Sequence, residues 1–380
     1  MNARRERPVV LYGMTSGLSA RGFMVGQAPF LVERGWDVVL ACSAEGAVKE
    51  FADEEGMRYV PIPLERAPSL WDDMRGWYSI WRTLRRVAPD VAVWGSPKAS
   101  LLGIIACRLQ RVPAIYVLHG LRLEGASGFQ RRFLWVAEAV TCRLAGTVVA
   151  DGYGLRDLAE KLKLVTPGKI QVLADGSANG VSADPGTPHY RSDLGIGEDE
   201  LVVTFAGRIT RDKGIAELIA AWPRVVDACA GARLVVAGRP DPADSEGETL
   251  RHALADLPNT HLVGHIDDLE NLWAETDLIV LPSYREGLPL VVIEAAAAGV
   301  PSVVSDCTGG AEAVEDGMTG VVVPVRDVVA LTSAVIRLLL DDDARNAMGR
   351  AARERALARY GRDRLWTAVD TLLREVIRPR

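Results

Sequence analysis

The sequence predicts an α/β protein of two doubly wound, Rossmann-like domains. Three observations lead there. At 380 residues the chain is longer than one hydrophobic core usually serves, so two domains are the natural division. Short β-branched runs alternate with amphipathic helical stretches from end to end, the mark of parallel sheets wound with helices. That alternation is interrupted once, around Asp175 to Pro188 (DGSANGVSADPGTP), by a Gly, Ser, Asn, Asp and Pro text that reads as an inter-domain connection.

The strands follow in order. The first run is Pro8 to Gly13, and Asp37 to Cys42, Asp90 to Trp94, Ala114 to His119, Thr147 to Asp151 and Ile170 to Leu173 continue it. Helical segments such as Phe23 to Arg34 and Phe129 to Leu144 separate them. After the connection the pattern restarts at Leu201 to Ala206 and goes on through Leu234 to Ala237, Leu278 to Leu281, Ser302 to Ser305 and Val321 to Val323. From about Ala344 the text is helical and rich in Arg and Ala, and the last helix, about Arg362 to Ile377, is expected to cross back onto the first domain. The expected division is 1–178, 179–361 and the helix 362–380. Ligands of doubly wound sheets bind beyond the carboxyl ends of the strands, so two such domains facing each other would form a cleft with helix N-termini and glycine loops on both walls.

Composition narrows the function classes. With 48% apolar and 25% charged residues and no low-complexity tract, the chain has the profile of a folded soluble protein. No apolar run approaches a membrane span, and Met1 to Arg7 is polar with no hydrophobic segment behind it, so a cytoplasmic protein is expected. Cys42, Cys107, Cys142, Cys229 and Cys307 are odd in number and scattered, which suggests core thiols rather than disulfides or a zinc site. Residues 1–178 carry 23 Lys and Arg against 18 Asp and Glu (net +5), and residues 179–380 carry 21 against 32 (net −11). A basic first half fits an anionic acceptor or a membrane surface. No nucleic-acid partner is expected.

The chemistry concentrates in the second half. After the strand ending at Ala206 comes Gly207-Arg208, then Lys213-Gly214 and a helix. Gly207 permits a tight turn, while Arg208 and Lys213 put two positive charges at a strand-to-helix mouth that already attracts anions. Arginine grips phosphate in a bidentate fork and lysine acts as a point charge, so a diphosphate is the obvious ligand. Downstream, Asp277 to Leu281 runs into Pro282-Ser-Tyr-Arg-Glu286-Gly287-Leu288-Pro289-Leu290 and on to Glu294. Pro289 suits the start of a helix, whose unpaired amides at Gly287, Leu288 and Leu290 would point at an anion. Two carboxylates, Glu286 and Glu294, beside a diphosphate make sense where they accept hydrogen bonds from sugar and ribose hydroxyls.

The E-x7-E spacing around E-G-L-P, the preceding D-L-I-V-L-P-S-Y and the upstream G-R-x4-K-G resemble glycosyltransferase family 4, retaining enzymes with the GT-B fold. The likeness spans nearly the whole chain and is strongest in the second domain. It implies that Arg208 and Lys213 neutralise the donor diphosphate, that Glu294 binds the ribose, and that Glu286 holds the donor sugar. Amides of Gly287 to Leu290 would complete the phosphate cradle, and Val263 to Ile266 would meet the base through the main chain. In the first domain, Gly13 to Gly17 (GMTSG) would approach the diphosphate closely, and His119 would contact the donor sugar. Glu286, His119, Arg208 and Lys213 are thus the expected catalytic set. Net retention through an oxocarbenium-like transition state is implied, with the leaving phosphate taking the acceptor's proton. No cofactor is expected beyond a nucleotide-sugar co-substrate, nor a metal, since the D-x-D within Asp341-Asp342-Asp343 precedes a helix and reads as capping.

For the acceptor, Leu70 to Val87 interleaves Trp71, Trp77, Tyr78 and Trp81 with Arg75, Arg82, Arg85 and Arg86, a basic aromatic helix that suits an anionic membrane surface as well as a core or acceptor lining. A second patch, His119 to Arg132, is similar to bacterial surface-polysaccharide transferases, so Ser16, Arg122, Arg131 and Arg132 are candidate contacts to a polyprenyl-diphosphate-linked saccharide at the inner membrane surface. A uridine nucleotide is expected on family frequency, with adenine and guanine open. The rival readings are a transferase for a soluble small acceptor, a GT-B nucleotide-sugar epimerase and a non-catalytic sensor. A nicotinamide dehydrogenase would need a G-x-G-x-x-G fingerprint and a ribose-binding acid, and neither is convincing.

Overall fold

The computed structural model describes residues 7–45, 47–64, 69–184, 186–242, 244–266 and 269–377. The chain divides into two compact units, Met1–Gly180 with Arg362–Arg380, and Val181–Gly361.

The first unit runs β1 (Val9–Gly13), α1 (Gly17–Met24), α2 (Gln27–Glu33), β2 (Asp37–Cys42), α3 (Val48–Glu54), β3 (Arg58–Pro61), α4 (Leu70–Val87), β4 (Val91–Trp94), α5 (Pro97–Gln110), β5 (Ala114–Leu118), α6 (Gly128–Leu144), β6 (Thr147–Ala150), α7 (Tyr153–Lys161) and β7 (Ile170–Val172). Its strands form one parallel sheet ordered β3-β2-β1-β4-β5-β6-β7. Strand order reverses at the β1/β4 junction, where Gly13 lies beside Trp94, and that is the crevice such sheets offer to ligands.

The second unit runs α8 (Tyr190–Leu194), β8 (Leu201–Ala206), α9 (Ile215–Ala228), β9 (Ala232–Ala237), α10 (Gly247–Ala255), β10 (Thr260–Gly264), α11 (Leu269–Trp273), β11 (Leu278–Leu281), α12 (Leu290–Ala297), β12 (Ser302–Ser305), α13 (Gly310–Ala313), β13 (Gly320–Val323), α14 (Val328–Leu340) and α15 (Asp342–Tyr360). Its parallel sheet is ordered β10-β9-β8-β11-β12-β13, the same winding as the first. Every residue of β1, β4, β11 and β12 is buried, as near-continuous apolar strands require when helices cover both sheet faces.

The last helix, α16 (Arg362–Ile377), belongs to the first unit, where Leu372 and Leu373 join Tyr12, Met24 and Trp36 in one of its two apolar layers. Its polar anchors are specific. The Trp36 indole donates to Asp370 at 2.7 Å, and the Trp366 indole donates to the carbonyl and side-chain oxygens of Asn179 at 3.0 Å.

Three expectations need correction. The single helix over Phe23 to Arg34 is two helices, because Gly26 sits at φ 74° and the Trp366 ring lies 2.6 Å from where its Cβ would be. Strands β3 and β10 were not expected. Both are edge strands, half-buried or exposed, so neither carries the apolar run that marks a central strand. Among the cysteines, Cys42, Cys107 and Cys142 are core thiols, but Cys229 and Cys307 are only partly buried. Asp341 does cap α15, accepting from the Ala344 amide at 2.9 Å, while Asp342 pairs with Arg345 at 2.7 Å.

Candidate functional site

In the second unit the turn after β8 is built by backbone packing. Gly207 has φ 153°, and a Cβ on Gly238 would fall 1.8 Å from the Gly207 carbonyl oxygen, so the ends of β8 and β9 touch main chain to main chain. The chain then makes a helical turn over Arg211–Lys213 and enters α9 through Gly214 at φ 71°, where a Cβ would strike the Pro282 carbonyl at 2.0 Å. This close approach, with the Tyr284 amide donating to the Asp212 carbonyl at 2.8 Å, brings the segment after β11 against the turn after β8.

The result is a cluster of alternating charges. Lys213 Nζ lies 2.5 Å from Glu286 Oε1, with the two side chains 17% and 11% exposed. Arg208 pairs with Asp241, whose side chain is nearly buried. Arg285 meets Asp212 at 2.6 Å. Burial alone would raise the Asp212 carboxyl, but the Thr210 hydroxyl and the charges of Arg285, Arg208 and Lys213 outweigh it and hold the group below the usual carboxylate range. Of the expected residues, the structure thus brings Lys213 and Glu286 into direct contact and joins Arg208 to them through the Asp212 network.

The Gly287 loop rests on Gly309, at φ 75°, where a Cβ would sit 2.1 Å from the Gly287 carbonyl. Glu286 donates its amide to Thr308 at 3.0 Å, while the N–H groups of Gly287, Leu288 and Leu290 meet no hydrogen-bond acceptor among the described residues. Helix α12 starts at Leu290 with Pro289 as its N-cap, so these amides form the open start of a helix. Leu288 buries its side chain in the core, and Glu294 is half-buried one turn into α12. The stretch expected as a base-binding loop opens as strand. Val263 and Gly264 belong to β10, and the Gly264 carbonyl accepts from the Gly238 amide at 2.6 Å, which leaves His265 and Ile266 beyond the strand end.

In the first unit His119 follows β5. Its Nδ1 lies 2.9 Å from Asp151 Oδ2 and 3.1 Å from Oδ1, its ring stacks on Phe23 at 4.1 Å, and its Nε2 is 2.9 Å from where a Cβ on Gly95 would stand. Carboxylate, ring and glycine together fix the imidazole, and a carboxylate on Nδ1 favours a proton there and an accepting Nε2. Gly17 serves packing, since a Cβ there would meet Val48 at 2.8 Å and the Glu45 carbonyl at 2.9 Å. Ser16 is buried and caps α1 through the Ser19 amide. Arg122 lies in a short turn, exposed, and Arg131 and Arg132 are exposed on the first turns of α6.

Three groups escaped the sequence reading. Asp151 and Asp241 hold His119 and Arg208, and each is an acid just past a strand, a position that carries no sequence signal until the topology is known. Glu138 on α6 is buried, which raises its carboxyl to about 7, although the Tyr116 hydroxyl at 2.8 Å and the Arg122 charge pull the other way.

Residues 23–176 match the family model for a glycosyl transferase 4-like domain, and residues 200–341 match that for glycosyl transferases group 1. The α-maltose-1-phosphate synthase of Mycolicibacterium smegmatis is 30% identical over 68% of this chain and 72% of its own. The chain belongs to glycosyltransferase family 4. Relatives with greater overlap include the capsular polysaccharide biosynthesis glycosyltransferase CapM of Staphylococcus aureus, 29% identical over 92% of both chains. Another is the Escherichia coli UDP-Gal:α-D-GlcNAc-diphosphoundecaprenol α-1,3-galactosyltransferase, 25% identical over 84% of both. Among solved structures, HepE of Anabaena in complex with UDP and glucose superposes with a TM-score of 0.81 over 97% of this chain and 99% of its own at 18% identity, which establishes the GT-B fold. The protein is therefore a glycosyltransferase, and the Arg208, Lys213 and Glu286 cluster lies in the portion matched by the group 1 model.

Proposed function

We propose that this glycosyltransferase moves a hexosyl or N-acetylhexosaminyl group from a UDP-sugar, with retention, to a hydroxyl of a saccharide carried on polyprenyl diphosphate, in the assembly of a bacterial surface polysaccharide. The observation that carries the reading is the Lys213–Glu286 pair at 2.5 Å, directly before the open amides at the start of α12. It offers cation, carboxylate and N–H donors together, which is what a diphosphate joined to a polyhydroxylated ring requires. Supporting it, HepE binds UDP and glucose in the same fold, and the E. coli relative is named for a UDP-galactose donor and a diphosphoundecaprenol acceptor.

In this mechanism the bond between the anomeric carbon and the β-phosphate oxygen breaks as the acceptor oxygen forms its bond on the same face, and the acceptor's proton passes to the departing phosphate. Arg208, Lys213 and the amides of Gly287, Leu288 and Leu290 stabilise the charge that grows on that phosphate. Glu294 holds the ribose, Glu286 the donor sugar, and His119 Nε2 accepts from a sugar hydroxyl. These cations supply the positive charge, so turnover is expected to survive chelation by EDTA. The enzyme would act at the cytoplasmic face of the membrane, where such lipids present their saccharides.

The test is to incubate the protein with a panel of nucleotide sugars and a membrane-lipid extract, following nucleoside diphosphate release for wild type and Glu286→Ala. Release from one donor that depends on the extract and is lost in the variant supports the reading, and the anomeric coupling in the product's proton spectrum reports retention. Release that needs only a water-soluble acceptor would replace the lipid-linked one, and a changed free nucleotide sugar without any acceptor would make the protein an epimerase.

A further inference from the structure

Phe129 and Phe133 on α6 are 85% and 59% exposed, and Val136 is 47% exposed. Their i, i+4, i+7 spacing places them in one stripe along the outer face of the helix. Between them Gln130, Arg131 and Arg132 are also exposed, and no acid occurs from Ala126 to Ala137. Helix α4 carries a second stripe, Trp71, Met74 and Tyr78 at i, i+3, i+7, exposed at 78%, 63% and 53%. Its outer surface also presents Arg75, Arg82, Arg85 and Arg86. The acids at its start are only half-exposed, and Asp73 is held by Lys98 at 2.5 Å.

Topology puts these stripes at one edge of the first unit. Helix α5 lies between α4 and α6, and in parallel winding each of these helices starts at the carboxyl ends of the strands. His119 closes β5 at that same edge. Packing within the unit leaves the rings in water, so their exposure calls for a partner.

We propose that the amino-terminal halves of α6 and α4 form a face that docks on an anionic lipid bilayer, with Phe129, Phe133 and Trp71 entering the headgroup region. Charge decides between occupants. Exposed Arg75, Arg131 and Arg132 flank the apolar stripes, with Arg82, Arg85 and Arg86 further along α4, and a two-fold contact with a second copy would set arginine against arginine, whereas anionic headgroups neutralise them. Phe, Trp and Tyr beside Arg is also the mixture that settles at a membrane interface, rings at the acyl boundary and charges among phosphates. The purpose of the docking, delivery of a lipid-linked acceptor to the edge that bears His119, rests on the function proposed above, but the docking requires neither donor nor acceptor.

The experiment sediments the full chain with vesicles of phosphatidylglycerol and phosphatidylethanolamine, and with vesicles of phosphatidylcholine alone. Wild type should partition onto the anionic vesicles and little onto the neutral ones. Phe129→Ser/Phe133→Ser should lower the partition coefficient roughly tenfold or more, from the apolar area withdrawn from water by each ring. Arg131→Gln/Arg132→Gln should lower it by roughly tenfold to thirtyfold, an effect that 1 M NaCl reproduces in the wild type. The phenylalanine pair should melt like wild type and cleave donor equally fast with detergent-dispersed acceptor. Wild type that ignores anionic vesicles, or a phenylalanine variant that binds them as well as wild type, overturns the proposal. So does a variant whose loss of binding follows from a dimer falling to monomer in sedimentation velocity. Vesicle binding without donor cleavage by any form would instead overturn the donor and lipid-linked acceptor proposed above and leave the docking face standing.

Discussion

Replacing Lys213 by methionine asks whether its contact with Glu286 is chemistry or bracing. Methionine keeps the length of the side chain and removes the charge. Because the two groups are 17% and 11% exposed and lie 2.5 Å apart, the substitution leaves a nearly buried carboxylate without its cation. That costs about 1–3 kcal/mol of stability, a fall of roughly 2–12 °C in Tm for a unit of this size. The catalytic loss is separate. A preorganised donor aimed at charge that grows in the transition state contributes roughly 3–4 kcal/mol, so kcat should fall about 10²- to 10³-fold, while the Kd for UDP rises about tenfold. The double variant Lys213→Met/Glu286→Gln removes the stranded charge, and it should recover most of the lost Tm but none of the lost kcat. Calorimetry gives the melting temperatures, titration of UDP the affinity, and nucleotide release the rate. If Lys213→Met lowers Tm by several degrees yet keeps kcat/KM within threefold of wild type, the pair is a brace and the phosphate role is wrong.

Three other outcomes are expected. Asp151→Asn replaces the carboxylate at His119 Nδ1 by a neutral amide of the same shape, so kcat/KM should drop about 10- to 100-fold with little change in Tm, and a kcat/KM within threefold of wild type would refute the assignment. Glu138, raised to about 7 from 4.5 by burial, keeps in the folded chain a proton that the unfolded chain releases between those values. Stability should therefore decline as pH rises from about 4.5 to 7, by at most about 3 kcal/mol, and level off above. Glu138→Gln should abolish that slope, and parallel Tm profiles for the two proteins between pH 5 and 8 would show the carboxyl is not its source. Gly26→Ala forces a side chain into the left-handed region and onto the Trp366 ring 2.6 Å away, so it should lower stability by at least about 2 kcal/mol in denaturant melts.

What was legible in the sequence followed from how strongly burial constrains composition. Central strands such as β1, β8, β11 and β12 are covered on both faces and write themselves as short runs of buried, mostly β-branched and apolar residues, so they stand within a residue or two of where the text puts them. Edge strands β3 and β10 answer to weaker constraints and were silent. The Gly26 break could not be seen because its cause, the Trp366 ring, comes from the far end of the chain. At the candidate site the motif residues Arg208, Lys213 and Glu286 announce themselves by spacing, since one turn and one helix start place them. Their supports do not. Asp241 and Asp151 act across strands, and only the fold pairs an acid after β9 with an arginine after β8, or an acid after β6 with a histidine after β5.

The return of α16 also has a consequence for biosynthesis. The second unit is one continuous segment and can close as soon as it leaves the ribosome, but the first needs Trp366, Asp370, Leu372 and Leu373 to cover Trp36, Met24 and Tyr12. A nascent chain therefore carries an uncovered apolar face on its earliest-made unit for as long as the whole second unit takes to be translated. Chaperone demand during expression should centre on that interval, and shortening the chain before Trp366 should harm solubility more than an equal deletion in an exposed loop.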